Sequence, residues 1–184
     1  GKICQQHNLK YFVDGARFAN AVAHFDCHPA DLSCRAGVDA MTFGASKNGT
    51  FGAEALVVFN PLLASGIRAH AKQTGHLASK MRFLSAQLLG YFDNNLWLDN
   101  ARHANNMAAL VAKNIAEKGL GSCYFAAQTN QLFISITSEQ YNSAKAQGYD
   151  LYHWPVEGQD CYRLVTSWAT KEQDVAGFIA AISL

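Results

Sequence analysis

Leu9-Lys10-Tyr11-Phe12-Val13-Asp14-Gly15-Ala16-Arg17 is the stretch on which the fold turns. Leu9 to Val13 reads as a short buried strand. Asp14-Gly15 stops it abruptly, and Ala16 to His24 reads as helix. Asp39 to Phe43 is a second strand, followed by the small-residue loop Gly44-Ala45-Ser46-Lys47-Asn48-Gly49. Glu54 to Phe59 is a third, apolar after its first residue, as a sheet covered on both faces requires. Between the first two strands, Pro29 suits the first position of a short helix ending near Cys34. Pro61 opens another helix after the third. Strands alternating with helices predict an α/β sheet, partly parallel. Such a sheet sets Asp14 at the carboxyl end of one strand and Lys47 just past the end of another. That is the edge where open α/β sheets bind ligands.

Residues 76–119 read as mostly helical. Leu84, Leu88 and Phe92 share a face, Asp93-Asn94-Asn95 marks a break, and Ala101, Ala104, Ala108, Val111 and Ile115 form a second stripe that Gly119 terminates. The remainder changes character. Leu132, Ile134 and Ile136 alternate with Phe133, Ser135 and Thr137, a strand with two distinct faces. Thr137 to Gln147 reads as helix, Leu151 to Val156 and Cys161 to Trp168 as strands, and Thr170 with Gln173 as a capping box for a final helix. The expected organisation is residues 1–92 as part of a large domain and 93–184 as a small α/β domain. Three buried-looking strands do not make a stable sheet alone, which suggests the C-terminal portion of a longer protein or one piece of a cleaved one.

Composition narrows the function. The chain has 184 residues, 49% of them hydrophobic, and a net charge of +1. Mixed charge argues against a nucleic-acid or acidic-membrane partner, and the short apolar runs exclude a transmembrane helix. Cys4, Cys27, Cys34, Cys123 and Cys161 are odd in number and irregular in spacing, which reads as reduced thiols in a cytoplasmic protein. His24, Cys27, His28 and Cys34 lie close together, but Pro29 interrupts them and no second ligand pair follows, so no metal site is expected.

Three residues around the expected edge carry chemistry that a pyridoxal-phosphate (PLP) enzyme requires. An amine must form a Schiff base with the cofactor aldehyde, and partial burial beside a cation favours its neutral form. Lys47 lies in a loop whose small residues let backbone approach a bulky ring. A carboxylate must keep the pyridine nitrogen protonated so that the ring accepts electrons; Asp14 is placed for this at a strand end. Arg17 offers a guanidinium that grips two oxygens at once. Each has an ordinary alternative: an exposed loop lysine, a turn aspartate, a solvated arginine at a helix start.

The segment Phe12-Val13-Asp14-Gly15-Ala16-Arg17-Phe18-Ala19-Asn20-Ala21 resembles the Asp-Gly-Ala-Arg segment of the threonine aldolase and β-eliminating lyase family, fold type I PLP enzymes. Thr42-Phe43-Gly44-Ala45-Ser46-Lys47-Asn48-Gly49 and Ala53-Glu54-Ala55-Leu56-Val57-Val58-Phe59 resemble the lysine segment of the low-specificity threonine aldolases. The stretch from Gly75 to Gln87 is similar to a loop and helix of the same branch, and Tyr162-Arg163-Leu164-Val165-Thr166-Ser167-Trp168 to its small-domain strand. The order is preserved nearly end to end.

The resemblance implies Lys47 as the Schiff-base residue, Asp14 on the pyridine nitrogen, Arg17 and Arg163 on the substrate carboxylate, and Lys72, in a loop, reaching the cofactor phosphate of a neighbouring subunit. His76 receives no role. It implies cleavage of β-hydroxy-α-amino acids of the threonine, allo-threonine and phenylserine type to glycine and an aldehyde. PLP-dependent β-elimination or racemisation, and a non-catalytic fragment, are the alternatives. A homodimer or homotetramer is implied. Ser167 stands where family members often carry histidine. The residues the family supplies from an N-terminal half, including the base for the β-hydroxyl proton, are not among these 184.

Overall fold

The structure is a computed structural model describing residues 1–156 and 159–184, with the backbone alone at Gln159. It divides into two compact units, Gly1–Asp99 and Asn100–Leu184. The elements in order are α1 (Lys2–Gln6), β1 (Phe12–Val13), α2 (Phe18–Phe25), β2 (Ala40–Gly44), β3 (Glu54–Val58), α3 (Ile67–Gln73), α4 (Arg82–Phe92), α5 (Leu96–Glu117), β4 (Ser122–Cys123), β5 (Gln131–Ser135), α6 (Ser138–Ala146), β6 (Tyr152–Val156), β7 (Gln159–Val165) and α7 (Glu172–Ile182), with short 3-10 turns between.

In the first unit the sheet order is β1-β2-β3. β1 runs parallel to β2, pairing Phe12 with Ala40 and Val13 with Met41. β2 and β3 are antiparallel, pairing Gly44 with Glu54. The connection 45–53 carries no crossover helix, which only an antiparallel neighbour permits. The expected partly parallel α/β sheet is therefore present, followed in sequence by a second α/β unit. β3 differs from expectation in burial: Leu56 is half exposed, so its apolar run is not covered on both faces within this chain. Met41, Val22 and Ala19 are fully buried. Phe43 anchors an aromatic cluster, with ring centroids 6.0 Å from Phe18, 6.2 Å from Tyr91 and 5.9 Å from Trp97.

Two local readings shift. Pro61 opens only a single 3-10 turn, capped by the Asn60 side chain, and α3 begins later, at Ile67. On α4 the buried residue is Tyr91, whereas Phe92 is half exposed. The break before α5 is as expected: Asn94 and Asn95 take positive φ, which asparagine tolerates better than most residues.

The second unit has sheet order β4-β5-β7-β6, antiparallel throughout. Leu132 and Ile134 of β5 and Tyr162 of β7 join Val111 and Ile115 of α5 and Val175, Phe178, Ile179 and Ile182 of α7 in one apolar core. Thr137 and Gln140 form a capping box at α6, and Gly119, at φ 64°, ends α5. The cap of α7 lies one residue beyond expectation. The Asp174 carboxylate accepts from the Lys171 N–H at 2.8 Å, whereas Thr170 Oγ1 accepts from the Ser167 N–H. No described helix is long and apolar enough to cross a membrane.

Asp39 ties the amino-terminal edge of the first sheet together. Its carboxylate accepts from the Asn60 side-chain amide and from the Tyr11 N–H at 2.8 Å, and its carbonyl accepts from Phe59 N–H. The Asn60 bond first, then Tyr11, holds its carboxyl below the usual carboxylate value, with Lys10 adding to both. The unfolded chain therefore binds more protons than the folded one in that window, so stability rises with pH there. The contribution is complete above the ordinary aspartate range and is lost as pH falls through the lowered native value. Urea midpoints measured from pH 6 downward should fall more steeply for the native chain than for Asp39→Asn. Identical slopes would show that Asp39 contributes nothing to acid stability.

Candidate active site

The carboxyl edge of the β1/β2 pair is built around two glycines. Gly15 follows Asp14 and Gly44 ends β2. The Gly44 N–H donates to the Gly15 carbonyl at 3.2 Å, and the Gly15 N–H donates to Thr42 Oγ1 at 3.0 Å. A Cβ on Gly15 would lie 2.0 Å from the Thr42 carbonyl oxygen, and one on Gly44 would lie 2.8 Å from the Ala16 Cα. Only hydrogen fits at either position. The turn after β1 and the turn after β2 are thereby pressed together, and they carry Asp14 and Lys47.

Asp14 is held by its own turn. Its Oδ1 accepts from the Ala16 N–H at 3.0 Å and lies 3.4 Å from the Thr42 hydroxyl. The carboxylate is exposed rather than buried at a strand end, as the sequence had suggested. The apolar run that would bury it is short, since β1 comprises only Phe12 and Val13.

Lys47 is the middle residue of a 3-10 turn, Ser46–Asn48. It is exposed, so partial burial does not act on it within this chain. Its neighbours on both sides are fixed. Before it, Ser46 donates its N–H at 3.2 Å and its hydroxyl to Glu54 Oε1. After it, the buried Asn48 amide donates to the Tyr91 hydroxyl and, at 2.8 Å, to the Trp97 carbonyl. Ala45 and Ala53 are completely buried at the base of the loop. Burial pushes the Tyr91 phenol up; the Asn48 bond opposes this and the Glu54 charge adds to it. The phenol therefore stays protonated near neutrality. The arrangement holds a lysine backbone rigidly and leaves the side chain outside.

Arg17 is half buried at the N-cap of α2. Lys72 lies in the last turn of α3, not in a loop, and is exposed. Arg163 belongs to the second unit, on β7. It shares a face with Val165, as alternation requires, and lines a cavity of about 460 Å³ with Tyr152, Thr166, Thr170, Asp150 and Asp174. Asp14, Arg17 and Lys47 are thus placed by one sheet edge and the helix that follows it. His28 Nδ1 accepts from the Ala30 N–H, a helix-start role.

Reading the sequence missed Thr42, Asn48, Glu54 and Tyr91. Glu54 had one visible signal: it is the charged residue opening an otherwise apolar strand. The Asn48–Tyr91 bond spans a separation of 43 residues and had none.

An α/β edge carrying an aspartate and a loop lysine, held by paired glycines, defines the class. Residues 1–138 match the family described as Beta-eliminating lyase, and the chain belongs to it. Among its relatives, the low specificity L-threonine aldolase of Pseudomonas aeruginosa is 40% identical over 167 residues, 91% of this chain and 48% of that protein. The enzyme of the same name from a Pseudomonas species is 36% identical over 179 residues, 97% of this chain and 51% of that protein. The threonine aldolase of Leishmania major superposes with a TM-score of 0.87 at 30% identity, over 97% of this chain and 52% of that one. Tryptophan decarboxylase of Catharanthus roseus, at 16% identity and a TM-score of 0.71 over 98% of this chain and 43% of that one, shares the fold. The chain spans about half the length of the curated relatives it matches.

The glycine contact makes a direct prediction. Gly15→Ala and Gly44→Ala should each lose about 1–3 kcal/mol, the usual cost of forcing atoms into filled space. Gly52→Ala should lose essentially nothing, because an added Cβ there meets no atom within 4 Å. Urea denaturation of the three variants checks this, and equal losses at all three would contradict it.

Proposed function

We propose that the protein to which this chain belongs is a PLP-dependent aldolase. It cleaves β-hydroxy-α-amino acids of the threonine, allo-threonine or phenylserine type to glycine and an aldehyde. The observation that carries the reading is the joining of the Asp14 turn to the Lys47 turn through Gly15 and Gly44. Residues 1–92 act as part of the cofactor-binding large domain, and 93–184 as the small domain.

The residues present suit the cofactor. An outward-facing amine and an outward-facing carboxylate share one edge, and the backbone between them carries no bulk. Lys47 would hold PLP covalently through its amine, and Asp14 would pair with the pyridine nitrogen. Lys72 is assigned to the cofactor phosphate of a neighbouring subunit. When bound, PLP withdraws electrons from the bond that breaks at the substrate Cα.

The chain's own groups do the rest. Fixing Ser46 and Asn48 leaves Lys47 few backbone states, so its amine is delivered to one place with little entropy left to lose. The turn-held Asp14 carboxylate keeps a partner proton in place by charge. Arg17 and Arg163 each present a planar, always-charged fork to a carboxylate. The half-length coverage of the relatives, with exposed Phe12 and Leu56 on the sheet faces, supports a further N-terminal segment that covers this apolar surface. That segment would supply the base for the β-hydroxyl proton. Five unpaired thiols favour a reducing, cytoplasmic setting, and the exposed apolar surface of α4, including Phe83 and Leu89, suits assembly into a homodimer or homotetramer.

In the full-length protein, PLP and L-threonine should yield acetaldehyde and glycine. Lys47→Ala should abolish both turnover and the visible absorbance of covalently held cofactor. Asp14→Asn should lower kcat by about a hundredfold or more, as expected for losing one preorganised charge. No aldehyde from any β-hydroxy amino acid would end this reading.

A further inference from the structure

The face of the second sheet opposite its apolar core is an aromatic ladder. Ring centroids step from Phe125 to Phe133 at 5.8 Å, from Phe133 to Trp154 at 5.1 Å, and from Trp154 to Tyr152 at 6.0 Å. Arg163 sits within this ladder on the central strand β7, opposite Phe133 on one neighbour and Tyr152 on the other.

The arginine is gripped from both sides. Its Nε–H donates to Gln131 Oε1 at 3.0 Å, from β5. Its guanidinium carbon lies 5.8 Å from the centre of the Trp154 ring, from β6. Gln131 therefore takes the one donor on the stem side of the guanidinium. The terminal nitrogens have no hydrogen-bond acceptor among the described residues. Those two nitrogens form the fork that matches a carboxylate. A free arginine side chain samples many rotamers, so prior restraint strengthens whatever its fork binds.

We propose that Gln131 and Trp154 are positioning residues that hold the Arg163 fork for a substrate carboxylate. The inference rests on the assignment of Arg163 to that carboxylate. Gln131 fixes the rotation of the guanidinium about its stem, and the Trp154 ring supports it while attracting its charge. A glutamine serves here because its neutral carbonyl accepts from Nε without cancelling the positive charge. A glutamate would accept equally well but would compete with the substrate for the cation.

The test uses the full-length protein loaded with PLP, with glycine as the probe. Its dissociation constant is read from the change in visible absorbance, alongside kcat for L-threonine. Gln131→Met keeps length and removes the acceptor. It should weaken glycine about ten- to a hundredfold, the scale of one hydrogen bond to a charged group, with kcat at saturation changed less than about twofold, as for uniform binding. Gln131→Glu should weaken glycine at least as much. Trp154→Phe should stay near native and Trp154→Leu should not. Independently of activity, the Arg163 Nε–H proton resonance of the unloaded protein should be protected from solvent exchange, and Gln131→Met should remove that protection. Arg163→Leu separates the two ideas. If it leaves glycine affinity unchanged, the carboxylate assignment itself is wrong. If it weakens glycine while Gln131→Met does not, the assignment stands and the positioning role is overturned.

Discussion

The hydrogen bond from Gly44 N–H to the Gly15 carbonyl, with no room for a Cβ on either residue, is the contact on which the candidate site depends. Parallel pairing of β1 and β2 brings two carboxyl ends to one edge, but pairing alone leaves the turns beyond them unrelated. The glycines close that gap. Main chain touches main chain where side chains would hold the turns several ångströms apart. The geometry of the candidate site is thus set by backbone, and the Asp14 and Lys47 side chains need no contact with each other.

A division of labour follows. Asp14 and Lys47 are exposed, while the residues beside them are immobilised. Glu54 holds Ser46, the buried Asn48 amide is bound by α4 and the start of α5, and Thr42 supports the Asp14 turn. A buried amide without partners would cost about 1–3 kcal/mol, so Asn48 confers register as well as satisfaction. Rigid support under an exposed reactive group is what a site on a loop requires.

The second unit uses the same separation on an antiparallel sheet. One face packs on α5 and α7, and the other carries Arg163 among aromatic rings. Period-two alternation makes both faces from the same strands. The apolar core and the Arg163 face therefore occupy alternate residues of the same strands.

The sequence by itself determined the order and nature of the main elements: the β1 turn, the two-faced β5, the Asn94-Asn95 break and the helix from Thr137 all follow from local chemistry. It also singled out Asp14, Arg17, Lys47 and Arg163, because their motifs are contiguous and resemble a known family. What only the tertiary structure decided is how those motifs are held. The exposure of Asp14 and Lys47, the placing of Lys72 in a helix, and the grips of Glu54, Asn48, Gln131 and Trp154 depend on partners on other elements. Periodicity reports which way a side chain faces along its own element. It carries no information about which distant amide, ring or carbonyl will be waiting there.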